Sequence, residues 1–130
     1  MCLTKGEQRW SYLHAYDLAS AFRTAIEDPN ISGIVNVGNP ETISVFEVAS
    51  TIGEILKKEK LLVFGALEYR SDQVMRLHPE CETLTGSGWR PLIDFEVGIK
   101  QTIDWLQGKR LQPLITNAGK ILDFKLPSRI

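Results

Sequence analysis

The sequence predicts a single α/β domain built from about three main helices with short strands between them. Apolar residues recur at helical spacing in three separate stretches, and short alternating or continuous apolar runs lie between those stretches. Gly, Pro and Asn punctuate the junctions. The chain has 130 residues, 43% of them hydrophobic, which suffices for one core but not comfortably for two.

Taken in order, Trp10, Tyr12 and His14 alternate with Ser11, Leu13 and Ala15, the pattern of a strand with one bulky face. Asp17 stands where an N-cap would, ahead of Leu18, Ala21, Phe22, Ala25 and Ile26, which share one helical stripe. Pro29-Asn30 and Gly33 end that helix, and Ile34 to Val37 reads as a short buried strand. Ser44-x-x-Glu47 has the form of a capping box, followed by Val45, Val48, Ile52, Ile55 and Leu56 at helical spacing. The basic end of this second helix, Lys57, Lys58 and Lys60, reads as a solvated face suited to a helix C-terminus.

Leu61 to Phe64 returns as a strand closed by Gly65. Tyr69 to Gln73 is polar and irregular, and Val74 to Leu77 reads as another short strand. Glu80 to Thr85 forms a brief helix ending at Gly86, and Gly88 to Pro91 a turn. Asp94 caps a last helix in which Phe95, Ile99, Ile103 and Leu106 share a face, with Gly108 as its stop. Trp89 and Trp105 read as core anchors, and Leu18, Phe22, Ile52, Ile99 and Ile103 as core. Residues 109–130 form a basic extension to the domain at 1–108, with Lys109, Arg110, Lys120, Lys125 and Arg129 against the single acid Asp123. Within it, Leu111 to Ile115 and Ile121 to Leu126 either pair as strands around Asn117-Ala118-Gly119 or form a loosely held tail.

Several function classes are excluded. With 15 Lys+Arg against 16 Asp+Glu, the chain has no bulk attraction to nucleic acid or anionic lipid. Its longest mostly apolar run, Leu61 to Leu67, is far short of the roughly 20 residues that span a bilayer. Met1-Cys2-Leu3-Thr4-Lys5 does not open a secretory signal, and two cysteines make no disulfide scaffold, so a cytoplasmic location is expected. His78-x-x-Cys81 lacks a second compact ligand pair, and no metal is expected. Neither a phosphate-cradling glycine loop nor a G-x-G-x-x-G turn is present, nor a zincin or nucleophile-elbow pattern. No catalytic residue is assigned within these residues.

One stretch carries a resemblance. Gly6-Glu7-Gln8-Arg9-Trp10-Ser11-Tyr12-Leu13-His14-Ala15-Tyr16-Asp17-Leu18-Ala19 resembles the G-x-x-x-R-D-[FWY]-[IL]-[HY]-V-x-D-x-A segment of the extended short-chain dehydrogenase/reductases, the NAD-dependent epimerase/dehydratase family of nucleotide-sugar enzymes. Later landmarks follow in the family's order: Val35-Asn36-Val37-Gly38, Ser44-Val45-x-Glu47-Val48-Ala49-x-x-Ile52, Tyr69-Arg70-x-Asp72-Gln73, Gly88-Trp89-x-Pro91 and Glu96-x-Gly98-Ile99-x-x-Thr102-Ile103-x-Trp105. Together they cover residues 4–107. The Gln8-x-Trp10-x-Tyr12-Leu13 variant is similar to the dehydratase branch more than to the UDP-galactose epimerases.

The resemblance starts late. It implies the small substrate-binding domain of an extended short-chain dehydrogenase/reductase, lacking the N-terminal Rossmann half with its NAD(P) turn and Tyr-x-x-x-Lys pair. The chain is then expected to hold no cofactor itself, NAD(P) belonging to the intact family enzyme, and to be inactive alone. Its partners would be a nucleotide-sugar substrate and either a cofactor-binding half or a second copy, with neither nucleic acid nor membrane. The rival reading is a stand-alone module that binds a nucleotide sugar or a protein without catalysis. A chain without its cofactor half should expose apolar surface, leading to self-association or to the segment Leu111–Leu126 folding across the bare face.

The resemblance also implies contacts. Arg70 matches the arginine that pairs with the diphosphate, a task suited to its planar fork; otherwise it is a solvated loop residue. Gln73 falls where some members contact the nucleotide, or is a surface amide. Asn36 reaches the substrate phosphates in some relatives, or is a buried amide satisfying strand-end backbone groups. The family's phosphate-binding arginine falls at Trp10, with Arg9 one position earlier on the opposite strand face. Arg9 can replace it only through a bulge or a wrapped side chain. Trp10 is either a stacking surface for base or sugar, or core packing.

Overall fold

A computed structural model describes residues 1–109, 113–116 and 119–122. It divides into two compact units, Met1–Pro91 and Leu92–Ile130.

In the first unit, β1 (Arg9–Ser11) is the central strand of a three-stranded sheet. On one side it pairs antiparallel with β2 (Thr42–Ser44), Arg9 opposite Ser44 and Ser11 opposite Thr42. On the other it pairs in parallel with β3 (Arg76–Leu77), Arg9 opposite Arg76 and Trp10 opposite Leu77. Because side chains alternate along a strand, Trp10, Ile43 and Leu77 share one face, while Arg9, Ser11, Thr42, Ser44 and Arg76 share the other. Sheet hydrogen bonding replaces the longer strand expected from Trp10 to His14, because His14 is drawn into capping α1 (Ala15–Glu27): its Nδ1 accepts from the Tyr16 N–H at 3.1 Å. Asp17 is therefore not the cap; it sits in the first helical turn and is fully buried.

The small side of α1 faces inward. Ala21 packs with Leu84 and Trp89 to form the core cluster, with Leu13, Ala25, Ile31, Val35 and Val37 against it. The Trp89 indole donates to Ser20 Oγ at 2.8 Å, so tryptophan and helix approach closely only because that helix face carries Ser20 and Ala21. This rotates the larger apolar residues outward: Leu18, Phe22 and Ile26 are 39%, 59% and 83% exposed. Leu18 and Phe22 are accordingly not core. The segment Ile34–Val37 is not a strand either. No backbone hydrogen bond to Ser32–Val37 is formed among the described residues, and Ile34 is 98% exposed while Val35 and Val37 turn inward. Its alternation is that of a strand, but no strand pairs with it among the described residues.

The capping box forms. Ser44 Oγ accepts from the Glu47 N–H at 3.1 Å and the Glu47 carboxylate accepts from the Ser44 N–H at 2.8 Å, opening α2 (Val45–Leu56). β2 just before it is a strand the sequence pattern does not suggest. Beyond α2, a short 3₁₀ turn (Glu59–Leu61) precedes a single bridge of Val63 to Cys2, so Leu61–Phe64 is not a strand. The Phe46 and Phe64 rings, 4.5 Å apart between centroids, hold this connection to α2 instead. The brief helix α3 (Glu82–Gly86) contributes the fully buried Leu84.

In the second unit, α4 (Phe95–Leu106) starts at Asp94, whose side chain makes no capping bond, and stops before Gly108. Ile93 is buried and Ile99 and Ile103 are half-buried, but Trp105 is 48% exposed and is not a core anchor. β4 (Leu114–Ile115) pairs antiparallel with β5 (Ile121–Leu122), so the hairpin alternative holds for these residues. The remainder of the extension, residues 110–112, 117–118 and 123–130, including Asn117 and Ala118 of the expected turn, lies outside the described residues. No helix among the described residues is long and apolar enough to cross a membrane.

Candidate functional site

β1 organises the residues singled out by sequence. Its N–H at Arg9 donates to the Met75 carbonyl at 2.9 Å, and on the apolar face the Trp10 indole N–H donates to the Val74 carbonyl at 3.2 Å. Gln73 is half-buried beside it, its Nε2 donating to the same carbonyl at 3.4 Å. The Gln73 N–H also closes a turn onto the Arg70 carbonyl at 3.1 Å. Trp10, Gln73 and Arg70 are thus joined by one short polar turn laid against β1.

The other end of that turn is tied as well. The Glu7 N–H donates to Tyr69 Oη at 2.9 Å, and the Tyr69 hydroxyl donates to Glu7 Oε2 at 3.1 Å. Tyr69 and Glu7 were legible in the sequence as landmarks, but their mutual clasp, 62 positions apart, was not. Between the anchors Arg70 projects into solvent, its side chain 78% exposed, with Asp72 facing its guanidinium.

Arg9 and Asn36 lie apart from this turn in different ways. Arg9 is on the opposite face of the sheet, and the β1 register with β2 runs without a bulge. Its guanidinium donates to the Thr42 carbonyl, to Thr42 Oγ1 at 3.4 Å and to Glu47 Oε2 at 3.3 Å. Glu47 is held below the usual carboxylate range chiefly by the Ser44 hydroxyl and N–H, with Arg9 adding attraction. Asn36 is exposed on the unpaired Ser32–Val37 segment, so it is not the buried strand-end amide its position suggested. The adjoining bend is fixed by Ser11, whose Oγ accepts from the Asn39 N–H at 2.7 Å and donates to the Asn39 carbonyl at 3.0 Å.

Among the described residues, neither α1 nor α2 offers a dinucleotide a seat of the usual kind. Such cofactors bind glycine-rich turns whose free N–H groups open a helix. The first N–H groups of α2 are already taken by Gly6 O, Gln8 O and Ser44 Oγ, and His14 Nδ1 occupies that of Tyr16 in α1. Among the described residues, the openings of α1 and α2 therefore offer NAD(P) no free N–H cradle.

Comparisons place this architecture. No family model matches the chain. Human dTDP-D-glucose 4,6-dehydratase is 30% identical over 105 residues, covering 77% of this chain and 30% of the relative. The chain belongs to the NAD-dependent epimerase/dehydratase family. It spans about a third of the length of such relatives. The Thermus thermophilus UDP-glucose 4-epimerase, solved with NAD, superposes with a TM-score of 0.69 at 25% identity, covering 83% of this chain and 35% of that one. MoeE5, solved with UDP-glucuronic acid and NAD, shares the fold with a TM-score of 0.70 at 19% identity, covering 83% of this chain and 36% of that one.

Proposed function

We propose that this epimerase/dehydratase chain supplies the substrate-holding portion of a nucleotide-sugar enzyme, with Arg70 gripping the diphosphate. The observation that carries the proposal is the double anchoring of the Arg70 turn: Tyr69 to Glu7 on one side, Val74 to Trp10 on the other. An arginine fork is useful for phosphate only if its backbone is held in place, since an unanchored long side chain loses more conformational freedom on binding. In this reading Trp10 positions the turn through its indole N–H, Gln73 lies at its edge, and Arg9 serves the start of α2. Asn36 projects from the exposed segment where a ligand phosphate can meet it.

The dehydratase and epimerase activities named for family relatives would need a cofactor portion that the described residues do not form. The partner we assign is that cofactor-binding portion, covering the exposed Leu18, Phe22, Ile26 and the unpaired Ser32–Val37 backbone. Backbone that makes no hydrogen bond among the described residues invites strand pairing, and an exposed apolar helix stripe invites burial.

Calorimetric titration of the full chain with UDP, dTDP and CDP tests the grip. Arg70→Ala is expected to weaken binding about tenfold, the worth of a hydrogen-bonded charge pair. Arg9→Ala is expected to leave it unchanged. Equal affinity for the Arg70→Ala and unsubstituted chains would show that the diphosphate is held elsewhere.

A further inference from the structure

We propose that Asp72 is a built-in occupant of the Arg70 fork, so that a diphosphate enters this turn only by displacing an internal carboxylate, and that Asp72 thereby sets the affinity of the site. The inference rests on the diphosphate reading above and adds a residue that acts against binding.

The geometry is that of a ligand complex already formed. Arg70 Nε donates to Asp72 Oδ1 at 3.0 Å and Arg70 Nη2 donates to Asp72 Oδ2 at 2.7 Å. Two parallel N–H donors meeting two oxygens of one anion is how guanidinium recognises phosphate as well as carboxylate. Both ligands need the same donors, so they compete for them. The turn that brings Gln73 N–H onto the Arg70 carbonyl keeps Asp72 within reach, and the anchors at Tyr69 and Val74 limit how far it can swing away.

The contact is also weak enough to open. The two side chains are 78% and 67% exposed, and water-exposed pairs are worth at most about a fivefold bias in an equilibrium. Apparent affinity falls by the fraction of forks left open. A singly charged ligand gains little over Asp72 itself, whereas a diphosphate brings more charge and more acceptor oxygens. Once displaced, Asp72 still repels the incoming phosphate, and salt screens that repulsion.

Titration of the full chain with inorganic pyrophosphate and with UDP provides the test. Asp72→Asn and Asp72→Ser are each expected to tighten both ligands about two- to fivefold. In an Arg70→Ala background the same changes are expected to have no effect. Glu68→Gln removes an exposed acid that makes no ion pair among the described residues, and is expected to change affinity less than either Asp72 variant. If Asp72→Asn and Asp72→Ser leave affinity unchanged or weaker while Arg70→Ala still weakens it, the occupant role is wrong and the grip survives. Tightening that persists without Arg70, or that Glu68→Gln reproduces, would mean general charge repulsion and also overturn the role. Loss of any effect from Arg70→Ala removes the underlying site instead.

Discussion

Replacing Ser44 with alanine removes two of the hydrogen bonds that open α2. Its hydroxyl accepts from the Glu47 N–H at 3.1 Å and donates to Glu47 Oε2 at 2.6 Å. The backbone arm, Ser44 N–H to Glu47 Oε2, and the Arg9 contact remain. An N-cap exchanged for alanine costs about 1 kcal/mol, up to about 2 in folded proteins. Ser44 is only 8% exposed, so water replaces the lost partner poorly and the upper half of that range is expected. In urea, with a slope of about 1–3 kcal/mol/M, the midpoint should fall by about 0.5–2 M at unchanged slope.

The effect should depend on pH in one direction. Glu47 is held below its ordinary range, first by the Ser44 hydroxyl, so its stabilisation is present above the unfolded carboxylate value and is lost as pH falls through the folded one. The variant gives up part of that stabilisation. Its deficit should therefore be largest near neutrality and shrink below about pH 4. Circular dichroism at 222 nm, followed through urea titrations at several pH values, measures both quantities. A midpoint shift that is absent at neutral pH, or a deficit that does not change on acidification, would refute the reasoning.

Two further outcomes concern surfaces. Sedimentation of the chain alone should show a dimer or larger species, because Leu18, Phe22, Ile26 and Ile34 lie open, and Phe22→Glu should shift it toward monomer; a compact monomer at all concentrations would remove the case for a covered face. Cys2 is exposed whereas Cys81 is buried with its thiol pKa pushed up by burial, so a disulfide reagent should modify one thiol rapidly and the second only in denaturant; equal rates would contradict the placement of Cys81.

The division between what was legible and what was not follows the range of the interactions. The α2 capping box was readable because all its partners lie within three residues, and α1 and α4 because periodic apolar spacing is a local signal. The family landmarks were readable for the same reason, as short ordered segments. Asp17 was misplaced because a histidine three positions earlier captured the Tyr16 N–H.

Sequence by itself determined the family, the α/β class and the residues of the Arg70 turn. Only tertiary structure decided which side of each element is used. It turned the small side of α1 inward because Trp89 needs Ser20 and Ala21 beside it, left Ile34 bare with no strand paired to it among the described residues, and set Arg9 and Trp10 on opposite sheet faces with different partners. A helical stripe or an alternating run records that a face exists; what meets that face is supplied by residues tens of positions away, and no local pattern encodes it.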